Sequence, residues 1–181
     1  TFSENITVTG TPQLTLETGS TDAVVNFTSV SGATLTFNYT VASGHLNTDL
    51  DYTSTSALAL NSGTIRDAAG NNATLTLSSP GGAWSLSDVK NLVADGVLPI
   101  ISSVALAANN ATIAVTMSEA VYNTTSGSGS LEAADFALSI SGGQATLSSS
   151  TPSSISANGN VYTLGLSLNR TPNGSEVLTV V

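Results

Sequence analysis

The chain has 181 residues, of which 12 are acidic and 3 basic, for a formal charge of −9; such a surface repels polyanions and excludes nucleic acid and anionic membrane as partners. Only 8% of residues are charged while 40% are hydrophobic, which excludes a disordered acidic tail. Cysteine is absent, so neither a disulfide framework nor thiolate chemistry is available, and no apolar run is long enough to insert this segment in a membrane.

The chain opens on TFSENI (1–6), which is echoed by TMSEAV (116–121) at an offset of about 115 residues. Strict alternation in QLTLE, AVVNFTSV, ATLTFNYTV and ATLTL predicts half-buried strands whose every second side chain faces a core. VADGVLPI (93–100) is the clearest punctuation: Asp-Gly followed by Pro predicts a short, stiff link. It divides the chain into domains 1–95 and 96–181. Beyond it, SSVAL, ATIAVTM, DFALSI, ATLSS and NVYTLGLSL predict further strands, with one helical turn at 130–135 capped by Ser130. SGSGS (126–130) lacks the Lys and helix that a phosphate cradle needs and is expected as a loop. The overlay predicts that the first domain lacks its opening strand and the second its last strands, both ends being cut within a repeat. Any export signal or anchor is then expected outside this segment.

The stretches TFSENITVTGTPQLTLETG, LTFNYTVASGHLNTDLDYTSTSALALNSGTIRDAAGNNATLTL and DGVLP carry a resemblance to the tandem bacterial and archaeal immunoglobulin-like repeats of large cell-surface proteins, the Bap-like type among them. TMSEAVYNTTSGSGSLEAADFALSISGG is similar to a sister subtype. The resemblance implies an all-β fold of tandem immunoglobulin-like antiparallel β-sandwich domains. Its implied partners are neighbouring immunoglobulin-like repeats of the same or identical chains, or a surface ligand. It implies an extracellular, cell-surface location but no single function, because such modules serve many.

Catalytic chemistry finds little material. His45 in SGHLN is the one imidazole and is expected as an ordinary surface histidine rather than the base of a triad. Asp49 and Asp51 in TDLDY share a strand face, yet a solvated loop is expected rather than a glycosidase pair. Trp84, Tyr39, Tyr52, Tyr122 and Tyr162 are scattered, and core or corner packing is expected of them rather than a sugar-stacking platform. Lys90 is the single lysine, which leaves an internal isopeptide bond almost without reactants.

Ca2+ is the metal that the composition could serve, because hard cations take clustered oxygen ligands beside turns. In a sandwich of this connectivity Glu4 and Asp67 are expected to meet where the chain enters the first domain. Glu119 and Asp95, with Asp135 beside them, are expected to meet where it enters the second. Asp49 and Asp51 would then face the junction near Asp95. The alternative is that these carboxylates serve only as turn formers and solubilising charges. Asn-x-Ser/Thr sequons stand at Asn5, Asn26, Asn38, Asn72, Asn110, Asn123, Asn169 and Asn173, and are candidate glycosylation sites in a host that glycosylates surface proteins.

The reading that follows is non-catalytic: a structural repeat segment of a large extracellular protein, an adhesin or spacer stalk. The alternatives are a subunit of a surface layer or extracellular filament assembled through strand exchange, and a carbohydrate-binding module of a secreted enzyme.

Overall fold

The computed structural model describes residues 1–125 and 127–181; Ser126, the first residue of the SGSGS loop, lies outside the described residues. The chain is all-β, as the alternation predicts, and divides into two compact units, Thr1–Leu98 and Pro99–Val181.

The first unit contains β1 (Ile6–Thr9), β2 (Gln13–Leu16), β3 (Ala23–Ser31), β4 (Thr34–Phe37), β5 (Leu46–Asn47), β6 (Leu58–Ala59), β7 (Thr64–Asp67), the one-turn helix α1 (Leu86–Val89) and β8 (Ala94–Asp95). Four strands form an antiparallel sheet in the order β4-β3-β2-β6, while β1 pairs with β7 and β5 with β8. The long strand β3 organises the sheet: residues 23–26 pair with β2 and residues 27–31 with β4, the latter pairing being broken by a register shift between Phe27 and Ser29. Such a bulge bends a strand, which lets one strand serve two partners. Gly32, at φ +58°, turns the hairpin from β3 into β4. Leu16, Val25, Leu50, Tyr52, Ala57 and Ala94 form the buried core, with Leu14, Phe37, Leu77 and Leu86 packed against it.

Two expectations are corrected here. The ATLTL stretch (73–77) does not join a continuous ladder; it is held by separate bonds, Ala73 N–H to Ile65 O and Leu77 N–H to Thr55 O. The expected link is also partly strand: β8 lies within it, and Ala94 is 1% exposed. Gly96 belongs to the same construction, donating to His45 O and accepting from Gly44 N–H. The division therefore falls after Leu98 rather than after Asp95.

The second unit contains β9 (Ile101–Leu106), β10 (Thr112–Met117), β11 (Leu138–Ser141), β12 (Ile155–Asn158), β13 (Val161–Gly165) and β14 (Val177–Val180). Its sheets run β12-β13-β10-β9 and β11-β14, again antiparallel. Ile113, Val115, Phe136, Leu138, Tyr162 and Leu164 form its core. A 3-10 turn at Ala133–Asp135 occupies the expected helical stretch, but its N-cap is Glu132 rather than Ser130, and the Asp135 carboxylate accepts the Glu132 N–H. Helix α1 was not expected, although SLSD carries its signature: Ser85 Oγ accepts the Asp88 N–H, and Asp88 accepts the Trp84 N–H.

The two units share particular pairings, although their sheet orders differ. The β3–β4 hairpin about Gly32 corresponds to the β12–β13 hairpin about Gly159, both glycines having φ near +57°. The β2–β6 pair, with Leu14 opposite Leu58, corresponds to β11–β14, with Ile140 opposite Leu178. Phe2 N–H donates to Ala33 O, as Met117 N–H donates to Asn160 O, so the TFSE and TMSE echoes occupy equivalent places.

A Cβ on residue 96 would run into the Ala42 carbonyl. Gly96→Ala is therefore expected to destabilise the first unit by about 1–3 kcal/mol and leave the second unchanged. Urea unfolding followed by unit-specific NMR signals checks this; an unaltered first-unit transition would return residue 96 to the link.

Candidate functional site

The pairing of β1 with β7 sets Ile6 opposite Asp67, and Glu4 lies just ahead of β1. Glu4 and Asp67 consequently line one cleft of about 500 Å³, together with Asn71, Asn72, Thr74 and Thr76. Asp67 is already engaged: Oδ1 accepts the Asn71 N–H at 2.8 Å and Oδ2 its side-chain N–H at 2.7 Å. These bonds from the Asn71 side chain and backbone hold its carboxyl below the usual range.

The remaining expected ligands are spread. Asp95 is on β8 of the first unit and accepts the Val97 N–H at 3.1 Å. Glu119 follows β10 in the second unit, half-buried, with Oε1 shielded and without a hydrogen-bond partner among the described residues. Asp135 is occupied by the Glu132 N–H. Among the described residues no three His, Asp or Glu side chains converge. Ca2+ takes about 6–8 oxygens, so in the Glu4 and Asp67 cleft most would be amide, carbonyl or water oxygens. Titration calorimetry is expected to give a dissociation constant on the order of 1 mM or weaker, lost in Asp67→Asn; micromolar affinity would contradict this.

Asp51 overturns the solvated-loop reading. Asp49 is exposed, but Asp51 is only 6% exposed. Its Oδ1 accepts the N–H groups of Tyr52 at 2.8 Å and Leu86 at 3.2 Å. Oδ2 accepts the Gly81 N–H at 3.0 Å and the Ser87 hydroxyl at 2.7 Å. The Leu86 N–H opens α1 and has no carbonyl within the helix to bond, so the carboxylate satisfies a helix-terminal donor. Tyr52 adds a bond from its hydroxyl to Ser78 O at 2.7 Å. Residues 78–87 are thereby fastened to Asp51, whose backbone O also accepts the N–H of Glu17, the residue after β2. Burial alone would raise the Asp51 pKa, but the hydrogen bonds from Gly81, Ser87, Tyr52 and Ser85 outweigh it and bring it to about 2.

Glu176 does similar work in the second unit and was not singled out in the sequence. Oε1 accepts N–H groups of Gln144, Ala145 and Asn173, and Oε2 that of Gly174, all between 2.9 and 3.1 Å. It ties the turn after β11 to the turn before β14.

His45 is half-buried rather than a free surface group. Its ring stacks on Tyr39 with centroids 5.8 Å apart, and Nδ1 accepts the Ala42 N–H at 3.2 Å and faces the Tyr39 hydroxyl at 2.9 Å. Tyr52 and Tyr162 are buried as expected, but Trp84 is 82% exposed and Tyr122 is 50% exposed, which corrects the packing expectation for both. Trp84 sits at φ +70° in the turn that Asp88 closes, with its indole exposed. Of the sequons, Asn110 is half-buried at φ +56°, and Asn5, Asn26, Asn38, Asn72, Asn123, Asn169 and Asn173 are exposed.

Comparison with protein-family models, curated proteins and solved structures finds no match.

Because the folded-state pKa of Asp51 lies below the unfolded value of about 3.9, its contribution is present above about pH 4 and lost as pH falls toward 2. Asp51→Ala is expected to cost about 2–4 kcal/mol near neutral pH, with the gap to the unaltered chain narrowing between about pH 4 and 2. Urea unfolding across that range checks it; a gap that stays constant would contradict the assignment.

Proposed function

We propose that the chain is a structural, non-catalytic pair of immunoglobulin-like β-sandwich repeats, of the Bap-like kind it resembles, serving as a spacer or adhesive stalk of a large extracellular cell-surface protein. The observation that supports this reading is a similar hairpin in each unit, joined in the same way to the TFSE and TMSE stretches by the bonds Phe2 to Ala33 and Met117 to Asn160. Repeated modules add length and independent folding units, which is what a stalk needs.

The use of the carboxylates supports the same reading. Asp51 and Glu176, the two whose pKa values fall to about 2, are taken up with backbone N–H groups at turns and crossovers. Groups so engaged hold the chain together rather than wait for a substrate. The exposed sequons stand on outward positions of both units, where glycans would add bulk without disturbing a core.

Stretching single molecules between the two termini tests the proposal. Two separate unfolding events are expected, one per unit, each lengthening the chain by about 3.5 Å per residue released. Extension without resolvable resistance, or a single event for the whole chain, would contradict the stalk reading.

A further inference from the structure

The corresponding hairpins differ in their neighbours: β3 also pairs with β2 where β12 is terminal, and β4 is terminal where β13 also pairs with β10. In the second unit β13 has two neighbours, β12 and β10. In the first, β4 takes the place of β13 and β3 that of β12, yet β4 is the terminal strand of its sheet. The registers match next to the turn: Thr34 opposite Ser31 answers Val161 opposite Asn158, and Leu35 opposite Val30 answers Tyr162 opposite Ala157; further along, a bulge in β3 sets Phe37 opposite Phe27, whereas Leu164 stands opposite Ile155 in an unbroken register.

A recess of mixed lining, with Thr1, Thr74 and Thr76 among its apolar side chains, accompanies the open edge. Phe2, Leu14, Leu35, Phe37, Leu58 and Leu77 line a cleft of about 290 Å³. In the second unit the residues opposite Tyr162 and Leu164 are Val115 and Ile113, which are 0% and 4% exposed and belong to the core. The edge itself, Thr34–Phe37, carries neither charge nor proline, the usual protections against pairing with another strand.

We propose that the outer edge of β4 and the cleft beside it form an acceptor for a strand of the β10 type. This is an uncharged, extended segment with apolar side chains at alternate positions, running antiparallel to β4 and ending where Thr1 begins. The direction and register come from the chain itself. Phe2 N–H already reaches Ala33 O, and Thr1 Oγ1 lies 3.5 Å from Thr34 Oγ1, so the backbone at Thr1 is aligned with the edge. A segment continuing that line would set one apolar residue opposite Leu35 and the next but one opposite Phe37, as Val115 and Ile113 stand opposite Tyr162 and Leu164. Main-chain bonds supply affinity in such an addition, and the alternate side chains supply selectivity. The inference is independent of the stalk reading, since an acceptor edge serves a stalk, a surface layer or a filament equally.

The test adds a second copy of residues 99–115 directly ahead of Thr1 of the full chain. Amide exchange at Thr34–Phe37 is expected to slow at least tenfold, and the melting of the first unit to move upward while that of the second stays in place. A version whose added copy carries Ile113→Asn and Val115→Asn is expected to lose both effects. Exchange at Thr34–Phe37 that is no slower with the added segment would overturn the proposal, as would equal protection by the two versions. The readout is local to β4, so its failure is distinguishable from a failure of the mechanical experiment.

Discussion

Most acid groups in this chain have no cation to pair with: twelve carboxylates face three cationic side chains, and no disulfide holds the loops. The structure depends on the other donor that a polypeptide supplies in quantity, the backbone N–H. Asp51, Asp67, Asp88, Asp95, Asp135 and Glu176 each accept at least one. A hydrogen bond to a charged acceptor is roughly twice as strong as a neutral one. These bonds occur where the strand ladders end, at turns, helix starts and crossovers, where backbone donors would otherwise be left over.

The rest of the architecture can then be economical. Strands of two to six residues, with β3 as the one long exception, suffice because the connections between them are themselves anchored. In the first unit Asp51 ties the segment of 78–87 to the sheet; in the second Glu176 ties the turns that flank β11 and β14. The apolar cores are modest in size and are completed by these polar fastenings, which do not need a solvent-exposed ion pair to hold. A plan of this kind can be duplicated without new chemistry.

Alternation made most strands legible, since period two is visible wherever one face is buried and the other wet, as in β3, β10 and β13. It failed where a segment lies along the core without a full ladder, as at 73–77, and where a strand is only a pair of residues, as at β8. Phe2 of TFSE and Met117 of TMSE each donate to the turn of a hairpin, at Ala33 and Asn160. The role of Asp51 was hidden because its partners lie 30 to 36 residues away at Gly81, Leu86 and Ser87. TDLDY read alone looks like a wet loop. Glu176 was hidden for the same reason, its main contacts being some 31 residues back at Gln144 and Ala145. The turn at Trp84 defeated a hydrophobicity argument: a large apolar ring stands exposed at a left-handed backbone position, which no pattern of residue types announces. Glu4 and Asp67 were brought to one cleft through the β1–β7 ladder, whereas Asp95 and Glu119 were assigned to separate units.

The central claim is that backbone-bonded carboxylates fasten each unit, and the most direct measurement is a carbon-13 NMR titration of the Asp51 and Glu176 carboxyl groups in the folded chain. Both are predicted to titrate at about 2, the bonds from Gly81 and Ser87 in one case and from Ala145, Asn173 and Gln144 in the other outweighing the cost of desolvation. Midpoints near 4, the range of a free carboxylate, would show that these groups are solvated and that something else holds the loops.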